Sequence, residues 1–136
     1  MKPSALLCVL FLSMISLAAC RSGTIRTSNS ASSTATAQAA LSLIPQDIPI
    51  MDGAEDLFAA SDGSNITYRV TATLEEAIAF YQEQTAALGW EPLGNDITIG
   101  SSITIQRSKP ERNLSIIIAP ISGTTALRVQ ITTILK

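Results

Sequence analysis

The feature that most constrains this chain is a period of two. Ser102 to Ser108 sends Ile103 and Ile105 to one side and Thr104 and Gln106 to the other. Asn113 to Ala119 repeats the pattern with Leu114, Ile116 and Ile118, and Asn65 to Ala72 sets Ile66, Tyr68 and Val70 against Thr67, Arg69 and Thr71. Successive side chains leave a strand on opposite sides, so this alternation predicts strands with one buried and one solvated face. Threonine suits the solvated face, since it joins β-branching to a hydroxyl.

Turn residues punctuate these runs and propose their pairing. Lys109-Pro110-Glu111-Arg112 is a turn with proline at its favoured second position. Asp62-Gly63 suits a two-residue type I′ turn after a weaker strand, Glu55 to Ala60. Centring a hairpin there pairs Ala59 with Ile66 and Leu57 with Tyr68. A two-residue turn at Ser122-Gly123 pairs Ile118 with Leu127, Ile116 with Val129 and Leu114 with Ile131. A three-residue loop at Gly100 to Ser102 sets Ile99 opposite Ile103. Upstream, Leu41 to Pro45 and Ile48-Pro49-Ile50 read as an extended lead-in, because proline disfavours helix at the residue before it.

One segment breaks the period. Thr73 is a good N-cap, and Glu76 three residues later completes a capping box. Leu74, Ala77, Ile78, Tyr81, Thr85 and Leu88 then recur at helical spacing, with Phe80 widening the face. Gly89 is the expected left-handed residue after the helix, and Trp90 can fold back over the last turn. The predicted fold class is α+β: a two-layer sandwich in which an antiparallel sheet of about five to six strands carries one amphipathic helix on one face. The other face, with Thr67, Arg69, Thr104, Arg128 and Gln130, is polar and solvated.

The N-terminus reads differently. Lys2 precedes a strongly apolar stretch, Ala5 to Leu17, shorter than the ~20 residues of a membrane-spanning helix and suited to a secretory signal. Its ending, Leu17-Ala18-Ala19-Cys20, resembles the lipobox of bacterial lipoproteins. That resemblance implies cleavage before Cys20, acylation of its sulfur, and attachment of the chain to a membrane through lipid (palmitate among the acyl groups). The alternative is an ordinary signal cut near Ala19 with Cys20 left free. Arg21 stands where an aspartate would, by the same resemblance, favour inner-membrane retention. The expected site is therefore the outer membrane facing the periplasm in a diderm cell, or the cell surface in a monoderm. The expected organisation is a signal peptide over 1–19, lipidated Cys20 with a Ser/Thr/Ala-rich tether over 20–40, and a single domain over 41–136. An Ala-rich helix from Thr34 to Leu43 is the alternative to the end of the tether. The run Glu75-Glu76-Ala77-Ile78-Ala79-Phe80-Tyr81, ending in Leu88-Gly89-Trp90, also resembles a pattern of small uncharacterised exported bacterial domains. It implies a fold and a compartment and carries no catalytic residues.

Chemistry is sparse. The chain has no histidine, which removes histidine bases, triads and metal ligands. Nine Lys and Arg against 11 Asp and Glu, a net charge of −2, leave no basic footprint for nucleic acid. Asp47, Asp52, Glu55, Asp56 and Asp62 lack a calcium-loop pattern and read as a solvated acidic loop. Arg69 and Arg128 are candidates for an anionic ligand on the open face, or ordinary solvated strand charges. Phe58, Ile117, Ile121 and Ile134 have the wrong parity for the core and are candidates for a partner surface, or surface scatter. Tyr81 and Trp90 read as core and cap packing before pocket lining. No enzyme and no cofactor are implied. The expected role is a non-catalytic interaction or ligand-binding module with an envelope protein as partner. The alternative is an accessory subunit of an envelope transporter or assembly complex, and a small extracytoplasmic enzyme ranks behind both.

Overall fold

The computed structural model describes residues 38–136. The readings of the signal segment, the lipobox and Cys20 lie outside that range. The described chain is α+β. Its strands are β1 (Glu55–Ala59), β2 (Asn65–Thr71), β3 (Glu91–Pro92), β4 (Ile97–Ile99), β5 (Ser102–Ser108), β6 (Arg112–Pro120) and β7 (Ala126–Leu135), with one long helix, α1 (Leu74–Ala87), between β2 and β3. All seven strands join one antiparallel sheet in the order β1-β2-β7-β6-β5-β3, and β4 also pairs with β5. That exceeds the expected five to six because β3 and β4 share the outer edge of β5, each covering a different part of it.

Parity was legible along the central strands, and register only at the turn end of β1–β2. The β6–β7 hairpin pairs Ile118 with Val129, Ile116 with Ile131 and Leu114 with Thr133. This is two residues from the expected pairing. The slip arises because the loop is four residues long, closed by the Ile121 N–H to Ala126 C=O bond, with Gly123 at φ 76 inside it. A two-residue slip keeps every side chain on its own face, so the apolar pattern could not choose between the registers. The β4–β5 connection slips by one instead. Ile99 sits opposite Ser102 across a tight turn at Gly100-Ser101, with Gly100 at φ 60. That flips Ile97 and Ile99 outward, and Ile99 is 72% exposed.

At β1–β2 the turn end is as expected, with Ala59 opposite Ile66 and Phe58 opposite Thr67. The loop is wider than a two-residue turn, since Ala60 N–H bonds Asn65 C=O and Gly63 N–H bonds Ala60 C=O. Further along, a bulge between Glu55 and Phe58 replaces the regular pairing of Leu57 with Tyr68. Asp56 takes φ 51 there, a left-handed conformation that aspartate tolerates better than most residues. Over Leu41 to Pro45 the lead-in is not extended. Residues 38–41 are helical, and i→i+3 bonds from Leu43, Ile44 and Ile48 to Ala40, Leu41 and Pro45 make a chain of turns. These residues overlap the Ala-rich helical alternative, and Ala40 is buried with the core.

The helix begins as its sequence predicts. Thr73 Oγ1 accepts from Glu76 N–H, and Glu76 accepts from Thr73 N–H at 2.8 Å. It ends in a Schellman motif: Trp90 N–H bonds Thr85 C=O, Gly89 N–H bonds Ala86 C=O, and Gly89 has φ 79. Ala77, Tyr81 and Thr85 are fully buried. Ala77 and Tyr81 belong to one apolar cluster with Ile66, Ile105, Ile116 and Val129 of the sheet. The Tyr68 and Tyr81 hydroxyls hydrogen-bond inside it, and Met51 N–H donates to Tyr68 at 3.2 Å. Burial raises both phenols above their ordinary value. Their ionisation is therefore out of reach of ordinary pH.

Candidate functional site

The two faces of the sheet differ because strand parity sorts the sequence. One face carries the core. On the other, register aligns one row across six strands: Phe58, Thr67, Gln130, Ile117, Thr104 and Ile97. Neighbouring strands lie ~4.8 Å apart, so Phe58 and Ile117, three strands apart, are roughly 14 Å from each other. Phe58 is 62% exposed, and Ile117 and Ile97 are also exposed. Among the described residues nothing covers this row. Ile134 is exposed on the same side, two residues beyond Thr132, while Ile121 is half-buried at the foot of the β6–β7 loop.

Arg69 and Arg128 do meet, directly opposite each other on β2 and β7. Two like charges so placed repel. Arg69 is answered by Asp56 at 2.5 Å and by Glu55 at 3.9 Å, both carried there by the β1 bulge. Arg128 has no carboxylate within ion-pair distance among the described residues and stands exposed. The open face thus offers one free guanidinium beside an apolar and hydroxyl row.

A second cluster sits at the end of the sheet where the described chain enters. Asp47 receives Lys109 Nζ at 2.5 Å and the Arg112 guanidinium. Beneath them lies Trp90, with Lys109 Nζ 4.6 Å and the Arg112 guanidinium carbon 5.3 Å from its ring centroid. Trp90 Nε1–H donates to the Asp47 carbonyl at 2.7 Å. Cations over an indole face gain from its quadrupole. The single carboxylate bonds both cations, so the cluster ties the lead-in loop to the β5–β6 turn. Beside it opens a recess of about 430 Å³, lined by Asp47, the turn Lys109 to Arg112, and Leu135. Nothing local in the sequence marks this cluster, because Asp47 is 62 residues from Lys109 and 65 from Arg112.

A third charged group is buried. Arg107 Nη1 donates to Asp96 at 2.8 Å and to its own strand's Gln106 carbonyl, and Asp96 also accepts from Gln82 of α1 at 2.9 Å. Arg107 shares the inward parity of Ile103 and Ile105, which was the one sign of it in the sequence. Partial burial pushes the Asp96 carboxyl upward, but the bonds from Arg107 and Gln82 outweigh it and hold the group below its ordinary value.

Asp47 behaves alike. Partial burial raises it, and the bonds and charges of Lys109 and Arg112 prevail, so its carboxyl lies below the ordinary aspartate range. A carboxyl depressed in the folded state stabilises fully above its unfolded value, about 3.9, and the contribution is lost as pH falls through the folded value. Trp90 is the only tryptophan in the chain, and its emission is expected to change as the pH drops below about 4. In Asp47→Asn that acid step should shrink, measured by fluorescence titration. An unaltered step would show that the clamp does not titrate.

No three His, Cys, Asp or Glu side chains cluster as a metal site among the described residues. Tyr81 and Trp90 are core and cap residues, both buried. The chain matches no protein-family model, and no curated protein matches it.

Proposed function

We propose that this chain is a membrane-anchored lipoprotein of the cell envelope, held through acylated Cys20, whose domain is a non-catalytic interaction module. On this reading the domain is a two-layer scaffold, with α1 on one face of the sheet and the opposite face turned to an envelope partner. The observation that supports it most is the bare row from Phe58 to Ile97, with Arg128 beside it. Aliphatic and aromatic groups spaced among hydroxyls and amides suit a partner surface of mixed polarity, which is the usual make-up of a non-obligate interface. The non-catalytic reading is supported by the engagement of Asp47, Asp56 and Asp96 in ion pairs, of Asp62 in a turn and of Glu76 in the helix cap.

A photo-crosslinking residue at position 117 of the lipidated chain, irradiated in its own membranes, is expected to give a discrete adduct. Phe58→Asp should abolish that adduct while changing stability by no more than about 0.5 kcal/mol, as exposed positions generally do. An adduct of equal yield from α1 surface positions, or none from position 117, would count against the open face as the interaction surface.

A further inference from the structure

The end of the sheet where the described chain enters carries a second, separate surface. The lead-in passes the β1–β2 turn, where Leu43 and Pro45 lie against Gly63. Register places the β5–β6 turn and the last residues of β7 at that same end, since Arg112 pairs with Leu135 and Asn65 with Thr132. Three exposed leucines gather around this entry: Leu41 at 46%, Leu43 at 42% and Leu135 at 81%. Beside them stand Lys109, Arg112 and Lys136, half of the six basic residues in the described chain. Lys136 Nζ bonds only neutral oxygens, those of Ser108 and the Lys109 carbonyl. Lys109 and Arg112 share the single carboxylate of Asp47. Glu111, at the tip of the turn, and Glu91, across a recess from Lys109 and Lys136, also face this end without forming ion pairs with them. Exposed leucines among interspersed cations and acids, with Glu91 beside Lys109 and Lys136 and Asp62 in the adjoining turn, form a mixed surface that suits the interface of a bilayer with zwitterionic headgroups.

We infer that this entry end docks on the membrane that holds the lipid anchor, with the leucines in the interface and the cations at the phosphates. The inference rests on the anchored reading above. Its further support is length. Between Cys20 and Gln38 run 17 residues, which on the tether reading reach roughly 23 Å. The ten residues of β7 span roughly 33 Å. The entry end is therefore the part of the domain nearest the bilayer, and the anchor raises its effective concentration there, so a weak surface suffices. Docked this way the strands stand upright on the membrane. The open face then rises from the surface, free for a partner.

The test uses the full lipidated chain in vesicles of phosphatidylethanolamine and phosphatidylglycerol that carry a headgroup nitroxide. Trp90, under Lys109 and Arg112, is the native reporter of the entry end. A companion with Trp90→Phe and Ile99→Trp reports the far end, and circular dichroism verifies its fold. Quenching is expected at Trp90 and several-fold less at residue 99. Leu135→Asp should lower the Trp90 quenching about fivefold, the scale of losing part of a buried leucine. Hydrogen exchange on the unsubstituted chain gives the same answer without a reporter: membrane-dependent protection at 109–112 and 133–136, and none at 99–102. Equal quenching or equal protection at both ends overturns the docking while leaving the anchor intact. Absence of labelled fatty acid on Cys20 sinks the anchored reading itself, and the docking with it.

Discussion

Replacing Asp96 by alanine is expected to destabilise the domain by about 3 kcal/mol, the scale of removing one member of a buried ion pair. Arg107 is almost wholly buried on the core face of β5, and Asp96 is its only carboxylate partner among the described residues. Without Asp96 the guanidinium keeps a single bond to the Gln106 carbonyl and remains charged in an apolar setting. The loss also frees Gln82, so α1 and the β3–β4 connection lose their shared anchor. For a domain of this size the midpoint of thermal unfolding should fall by roughly 12–20 °C. The double variant Arg107→Met with Asp96→Leu should recover most of the loss, since apolar replacement of a buried pair is often neutral or better. Thermal and urea unfolding of the two variants settles the matter. If Asp96→Ala costs under about 1 kcal/mol, the pair behaves as a surface bridge and the burial is of no consequence.

Gly63→Ala is expected to cost about 2–4 kcal/mol, for two separable reasons. Gly63 has φ +67, where any other L-residue is strained. A Cβ there would also stand 2.8 Å from the Leu43 carbonyl and 3.0 Å from Pro45 Cδ. The carbonyl belongs to the backbone, so the lead-in must move away from the β1–β2 turn. Gly123 provides the comparison. It has φ +76 and nothing within 4 Å of its Cβ position, so Gly123→Ala bears the conformational cost alone, about 1 kcal/mol. Denaturant unfolding of both variants should show Gly63→Ala the worse by at least about 1 kcal/mol. Equal losses would mean that the close approach of Leu43 and Pro45 contributes nothing.

The same two sites show what was legible in the sequence. The Asp62-Gly63 dipeptide marked a turn and gave the right pairing of Ala59 with Ile66, because a turn is a local matter of φ and short side chains. The arrival of Leu43 and Pro45 at that turn is a long-range contact with no local signal. Arg107 could be placed on the inward face by parity, but its partner, in a loop eleven residues away, could not be identified. Of the candidate site residues, Phe58 and Ile117 are exposed on the open face, and Arg69 and Arg128 are brought face to face. Ile97 and Ile99 were misplaced because one residue of loop length reverses the faces of a short strand. The Asp47, Trp90, Lys109 and Arg112 cluster was invisible, since charged residues this far apart leave no period to read.

By itself the sequence determined the α+β class, the helix with both of its caps, and which side chains of the central strands point inward. Each of these follows from interactions within about four residues or from a simple period. Only the tertiary structure decided the register of β6 on β7, the outward turn of β4, the shared edge of β5, and the single row that crosses the open face. Apolar patterning is unchanged by a slip of two residues, so loop geometry and packing across the sheet had to make those choices.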